Sequence, residues 1–423
     1  MKKWLISISL VPFFLNVFAG ILAGEEITFL STQLRPAKEA RVLREEVLSK
    51  FPKPITFLPA DDRAFFFGIT ASDKLIPTVM GALHGEFAEL APTDYFYPLD
   101  SLVGQGNHLE INQQFVELGR MKGKQVFLPW MQATYLMAAH KKALAYLPVR
   151  VDLNHLTYDQ LLDWAVAMRK DTGSPRLGFP AGEDGLLHRF FQGYLYPSFT
   201  GMTVRGFQSK DAQAMWIWFS QLWQEVTTHS MTYRSMAEPL LTGEVWVAWD
   251  HTARLAEALE RNPEDFVVFP APIGPKGRGF MVVLAGLGIP KKSKNIEDGK
   301  ELIKFLISPE SQATIMSNTG FFPVRPLGTN SNIPPGLAQF QEAVAIQSSG
   351  KQALPVMLPV GLGSLSKEFN VIYSTAFSKI VVRRQDPAVV LPDLAMRLSK
   401  ILSEANASCW PPDKASQGPC PVQ

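Results

Sequence analysis

Strand–helix–strand alternation near the start of the chain constrains the fold more than any other feature. An apolar strand over residues 27–32 leads into a helix with Pro36 near its start and Ala40, Leu43, Val47 and Leu48 on one face. Strands over 55–58 and 76–80 follow, the last ending at Gly81. Short turns between such elements predict a parallel sheet covered on both faces, with ligands bound beyond the carboxyl ends of the strands. Thr32, Gln33, His84 and Glu86 occupy those loop positions.

Further along, a hairpin is expected over 121–128, closing on Pro129-Trp130, and a strand over 135–139. Thr157 and Gln160 form a capping box that opens a helix to about Lys170, stopped by Gly173. Ser308-Pro309 pairs an N-cap residue with proline at the first helical position. Other helices are expected at 183–194, 210–229, 251–261, 296–307, 309–318, 334–348, 365–383 and 388–405. With 423 residues, the chain has room for two or three domains at roughly 150 residues each.

Residues 1–23 read as an export signal. Lys2 and Lys3 precede an apolar run over 4–18, and small residues at Val17 and Ala19 place cleavage between Ala19 and Gly24. The other reading of this stretch is an uncleaved anchor, since residues 4–23 are long enough to span a bilayer. No cysteine lies near the cut, which excludes lipoprotein anchoring and leaves the periplasm as the expected location. Cys409 and Cys420, with turn residues between them, read as one disulfide that pins the tail 409–423.

The charge is nearly balanced, with 41 Lys+Arg against 39 Asp+Glu, and losing Lys2 and Lys3 makes the exported chain formally neutral. That argues against a nucleic-acid binder working through a large basic surface. The chain carries no HExxH, CxxC, GxSxG or phosphate-cradling GxxxxGK pattern, so neither a metal nor a cofactor is expected, and the chain does not read as an enzyme. Asp61-Asp62 read as cap residues at a helix start. Phe65-Phe66-Phe67 is either core or an apolar patch for a partner.

Three segments, in order, carry a resemblance. The first is Gly123-Lys124-Gln125-Val126-Phe127-Leu128-Pro129-Trp130, continuing through Tyr135 to Lys142. The second is Thr157-Tyr158-Asp159-Gln160-Leu161. The third runs from Gly274-Pro275-Lys276-Gly277 through Ala285-Gly286-Leu287-Gly288-Ile289-Pro290-Lys291 and Ser308-Pro309-Glu310 to Gly320 and Pro323. Together they resemble the extracellular solute-binding proteins of ABC importers, in the group that includes maltose- and multiple-sugar-binding proteins. Two departures stand out: Ala139-His140 replaces the family's Tyr-Asn, and Ala248-Trp249-Asp250-His251-Thr252 stands where relatives often carry a Gly-x-Trp turn.

The resemblance implies a two-lobed periplasmic-binding-protein fold, type II-like, each lobe a mixed sheet flanked by helices with the ligand cleft between them. The lobes are expected over 25–129 plus 287–343 and over 130–286 plus 344–408. The crossings are expected near Pro129-Trp130 and residues 284–289. The implied partners are a small polar solute, foremost a mono- or oligosaccharide, and the permease subunits of the transporter, with the binder itself a monomer.

A sugar has an apolar face that stacks on aromatic rings and hydroxyls that need paired polar groups. The candidate ligand residues are therefore Thr32, Gln33, His84, Glu86, Trp130, Gln132, Asp184, Trp249, Asp250, Arg254 and Gly286. Trp130 reads equally as packing beneath the hinge, and Asp250 as the N-cap of a helix. Glu183-Asp184 read as caps first, and Gly286 as a place where a missing Cβ lets a ligand approach the backbone. Trp216, Phe219 and Trp223 recur at helical spacing and read as core. Two other functional readings stay open at this level: a secreted carbohydrate-active hydrolase, and an N-terminally anchored receptor module.

Overall fold

The computed structural model describes residues 26–34, 37–60, 75–90, 94–103, 109–111, 113–327 and 335–423. The expected signal segment, Asp61-Asp62 and Phe65-Phe66-Phe67 lie outside the described residues. No helix among the described residues is long and apolar enough to cross a membrane.

Strands β1 (Ile27–Ser31), β2 (Ile55–Pro59) and β3 (Val79–Leu83) pair in parallel, in the order expected of alternating strands and helices. The third strand begins and ends later than its apolar run suggests. Gly81 continues it, because a Cβ there would stand 2.9 Å from Ser31 Oγ and 3.1 Å from the Phe29 ring, a gap only glycine fits. The hairpin is present as β4 (Arg120–Met121) and β5 (Lys124–Gln125), turning through Lys122 and Gly123, both at positive φ.

Strand β6 (Leu128–Ala133) is followed after one residue by β7 (Tyr135–His140), and these two belong to different sheets. Strands β8 (Leu177–Gly178), β9 (Val247–His251) and β10 (Phe266–Phe269) complete the smaller sheet in the order β10-β7-β9-β8. Strand β11 (Arg278–Gly288) returns to the first sheet, where β12 (Phe322–Pro323) lies on β6 and β13 (Ala353–Met357) lies on the amino half of β11. The larger sheet reads β12-β6-β11-β3-β1-β2, with β13 beside it.

The chain therefore passes from the larger to the smaller sheet at Thr134. The reason is packing: Leu128, Trp130 and Met131 are buried among Phe29, Leu287, Leu302 and Leu306, and hold β6 to the first sheet. The second layer packs Phe190, Trp216, Phe219 and Trp249 under the smaller sheet; Trp216 and Phe219 are fully buried as their spacing predicts, while Trp223 is only half-buried against them.

Where caps are present, helix ends follow the sequence signals, but the helix expected over 210–229 ends at Trp223. Thr157 and Gln160 exchange both bonds of the capping box at the start of Tyr158–Thr172, and Gly173 ends that helix at φ 73°. Ser308 caps Pro309–Thr319 by accepting from Ser311 N. The helix expected from 183 starts instead at Leu187 and continues through a π-helical stretch to Thr200. Cys409 and Cys420 are bonded, with Cα atoms 4.6 Å apart.

Candidate functional site

Strand register places the site. In the larger sheet β11 runs antiparallel to both β3 and β6, with Ala285 opposite Leu83 and Val283 opposite Ala133. In the smaller sheet β7 starts at Tyr135 opposite His251, while β10 runs antiparallel to β7 and β8 parallel to β9. The carboxyl ends of β1, β2 and β3 and those of β8, β9 and β10 therefore all point toward Thr134. Loops from both sheets meet there, where ligands bind in α/β folds and where clefts between lobes concentrate small-molecule sites.

On the first side, the buried Glu86 carboxylate organises the loops. Its Oε2 accepts from the Thr32 hydroxyl and from Leu83 N, both at 2.8 Å. Gln33 Nε2 donates in turn to Thr32 Oγ1 at 3.1 Å. His84 is 6% exposed, with Nε2 3.4 Å from the Leu358 carbonyl and Nδ1 buried without a partner among the described residues. Burial lowers its pKa to about 4, only partly offset by the Leu358 and Leu284 carbonyls, so the ring is neutral. Leu358 follows β13, which pairs with the amino half of β11.

On the second side, Asp250 is fully buried. It accepts from Met236 N at 2.8 Å and His251 N at 2.7 Å, with Arg254 Nη1 at 3.8 Å. Burial raises its pKa to about 6 against the pull of Arg254 and the two N–H groups. His251, and not Asp250, caps helix Thr252–Arg261, its Nδ1 accepting from Ala253 N at 3.2 Å. That bond requires an unprotonated Nδ1. It agrees with a pKa lowered to about 4, first by burial and then by Arg254. Burial, with Arg189 and Arg254 nearby, lowers His188 to about 3. Arg254 Nη2 reaches the Asp184 carbonyl at 3.4 Å, and the Asp184 carboxylate pairs with Arg234 at 3.2 Å. Asp184 stands in the turn ahead of the helix at φ 58°, not at its cap. Arg189 is half-buried and donates to Gln192 Oε1 at 3.0 Å.

Other candidates sit in packing positions. Trp130 is fully buried, edge-on to Phe29 with centroids 5.5 Å apart. Trp249 is also fully buried, stacked at 4.8 Å beneath Tyr135. The missing Cβ of Gly286 serves packing: an added Cβ would lie 2.2 Å from Phe127 Cδ2. Gln132 donates to the Pro323 carbonyl at 3.0 Å and lines a cavity of about 240 Å³ beside Thr134, Phe280, Val282 and Gln347.

Sequence reading did not single out Tyr135, His188, Arg189, Arg234 or His251. The only available signal was the run Leu187-His188-Arg189-Phe190-Phe191, where two basic residues interrupt an apolar aromatic stretch. No group of three His, Cys, Asp or Glu side chains placed to hold a metal occurs among the described residues.

Two α/β sheets joined by crossing strands, with polar loops converging on the junction, define a two-lobed binding protein. The chain belongs to the bacterial extracellular solute-binding protein family, whose model matches residues 70–313. Among solved structures it resembles maltose-bound MalE3 of T. maritima, with 19% identity and TM-score 0.68 over 89% of this chain and 100% of that one. Similar too is UgpB of Mycobacterium tuberculosis in complex with glycerophosphocholine, at 19% identity and TM-score 0.68, covering 90% of this chain and 99% of that one. The sugar-binding protein MalE of Xanthomonas citri matches at 16% identity and TM-score 0.69, covering 90% and 98%. No curated protein matches the chain.

Proposed function

We propose that this protein is the solute-capturing subunit of an ABC importer, that it takes a hydroxylated solute of saccharide type, and that it delivers the solute to a membrane permease. The observation that carries this reading is the convergence of both sets of strand carboxyl ends on Thr134. That geometry surrounds one cleft with polar loops from two lobes. The family membership, the maltose bound to MalE3 and the description of MalE as a sugar-binding protein support the same reading.

Hinge motion takes place at two places, Thr134 and the middle of β11. Solute contacts to both lobes favour the closed form, and only that differential affinity shifts the population. Arg254, Arg234, Asp184 and Gln33 meet the solute from loop positions. Tyr135, itself buried, stacks on Trp249, and the pair supports the loops from beneath. Export through the N-terminal signal and action as a monomer without turnover complete the proposal.

A thermal-shift panel of sugars, polyols and their charged derivatives tests it. A true solute at about a thousand times its Kd stabilises the fold by roughly 4 kcal/mol. A panel in which no member raises the midpoint would sink the reading. Intact recovery of the bound solute after long incubation separates binding from hydrolysis.

A further inference from the structure

We propose that the solute carries an anionic group, a carboxylate or a phosphate, and that Arg189 is the residue that pairs with it. This inference rests on the reading of the cleft as the site for a hydroxylated solute, and it narrows the class of solute.

The observation is an unequal pairing of three arginines on the second side of the cleft. Arg254 has Asp250 at 3.8 Å, and Arg234 has Asp184 at 3.2 Å. Arg189 has no carboxylate within 4.0 Å among the described residues, although it is half-buried. The exposed Glu183 forms no ion pair with it either. Its side-chain partner is the neutral amide oxygen of Gln192, at 3.0 Å. Gln192 is itself 2% exposed and donates to Asn370 Oδ1 at 2.9 Å, so the guanidinium is held in place from behind.

A partly desolvated cation without a counter-ion is costly, and an anion that reaches it offsets part of that cost. The neighbouring groups do not relieve the charge. His188 and His251 are neutral, for the reasons of burial given above, and Asp250 is engaged by Arg254 and two backbone N–H groups. A guanidinium offers a planar fork of five donors, of which Gln192 occupies one. Carboxylates and phosphates meet such a fork with two parallel bonds, whereas a single sugar hydroxyl leaves the charge uncompensated.

The test uses the full exported chain and pairs each acidic probe with its neutral parent. D-galacturonate is compared with galactose, glucose 6-phosphate with glucose, and glycerol 3-phosphate with glycerol, by thermal shift and calorimetry, with inorganic phosphate as a separate arm. At least one acidic probe is expected to bind ten-fold or more tightly than its parent, and whether it is the uronate or a phosphate identifies the group. Arg189→Gln is expected to remove that ratio, and Arg189→Lys, which keeps the charge without the fork, to retain part of it. If Arg189→Gln does not fold, the lysine variant alone must still lower the ratio.

Equal binding of acid and parent by the wild-type chain would overturn the inference while leaving the cleft reading in place. So would a ratio unchanged in the variants, or inorganic phosphate binding as tightly as the sugar phosphate. Failure of every probe, acidic and neutral alike, would overturn both.

Discussion

Gln347 Nε2 donates to Thr134 Oγ1 at 3.0 Å and to the Tyr135 carbonyl at 3.2 Å, tying helix Pro335–Ser348 to the residue where the chain passes between sheets. The Thr134 hydroxyl donates onward to the Met281 carbonyl at 2.7 Å, so both crossing strands are held at one point. Gln347 Oε1 also accepts from Ala271 N at 2.9 Å. Gln347→Ala orphans a buried backbone N–H and loosens the crossing. A loss of about 2–4 kcal/mol in denaturant unfolding is expected. An unchanged midpoint would show that the bond network does not hold the junction.

Gly286 separates a packing role from a ligand role. Its β position is filled by the Phe127 ring, which stacks on Phe87 with centroids 4.7 Å apart. Gly286→Ala is expected to cost about 1–3 kcal/mol through overpacking. Solute affinity of the folded fraction stays as in the wild type. Weakened binding without loss of stability would return this glycine to the ligand site.

Stability falls as pH drops from about 6.5 toward 4. His84, His188 and His251 are held neutral in the fold, with pKa values of about 4, 3 and 4. In that window the unfolded chain therefore takes up protons that the folded chain does not. Asp250, raised to about 6, acts in the opposite sense: the folded chain binds its proton first, which moderates the loss. Denaturant midpoints measured across this window should slope upward with pH. His84→Asn should flatten the slope, and an identical slope in that variant would refute the assignment.

Asp413 anchors the disulfide-closed tail. It is 5% exposed and accepts from the backbone N–H groups of Thr203, Val204 and Arg205 at 2.9, 2.9 and 3.0 Å, and from the Thr203 hydroxyl. Asp413→Ala leaves those donors without partners and is expected to destabilise the fold by about 2–3 kcal/mol. Amide exchange at 203–205 should accelerate before the rest of the lobe. Exchange that rises uniformly would mean the tail is not a local clasp.

Local signals were legible wherever the chemistry is contained in a few neighbouring residues. Thr157 and Gln160 close their capping box because both partners lie within one helical turn. Ser308-Pro309 and Gly173 mark helix ends for the same reason. Trp216 and Phe219 are buried as their spacing required, and Cys409 meets Cys420 across a short segment. Thr32 and Gln33 follow the end of β1, whereas His84 and Glu86, expected in a loop, form the first turn of helix His84–Leu90 directly after β3.

What the sequence could not supply was the direction in which each polar group is spent. Glu86 is committed to Thr32 and Leu83, Asp250 to Met236 and His251, and Trp130 to Phe29. The cap of helix Thr252–Arg261 moved one residue on, to His251, because Asp250 is drawn inward by the Met236 N–H from another segment.

The sequence by itself determined the α/β class, the capped helix ends at Thr157, Gly173 and Ser308, the tail disulfide and the resemblance to solute-binding proteins, since these depend on periodicity, caps and short ordered motifs. Only the tertiary structure decided that the sheets exchange at Thr134, that Gly286 makes room for Phe127, and that Arg189 stands without a carboxylate while Arg234 and Arg254 have theirs. Those outcomes turn on which side chains meet across long stretches of chain, and burial then sets the charge state each of them can hold.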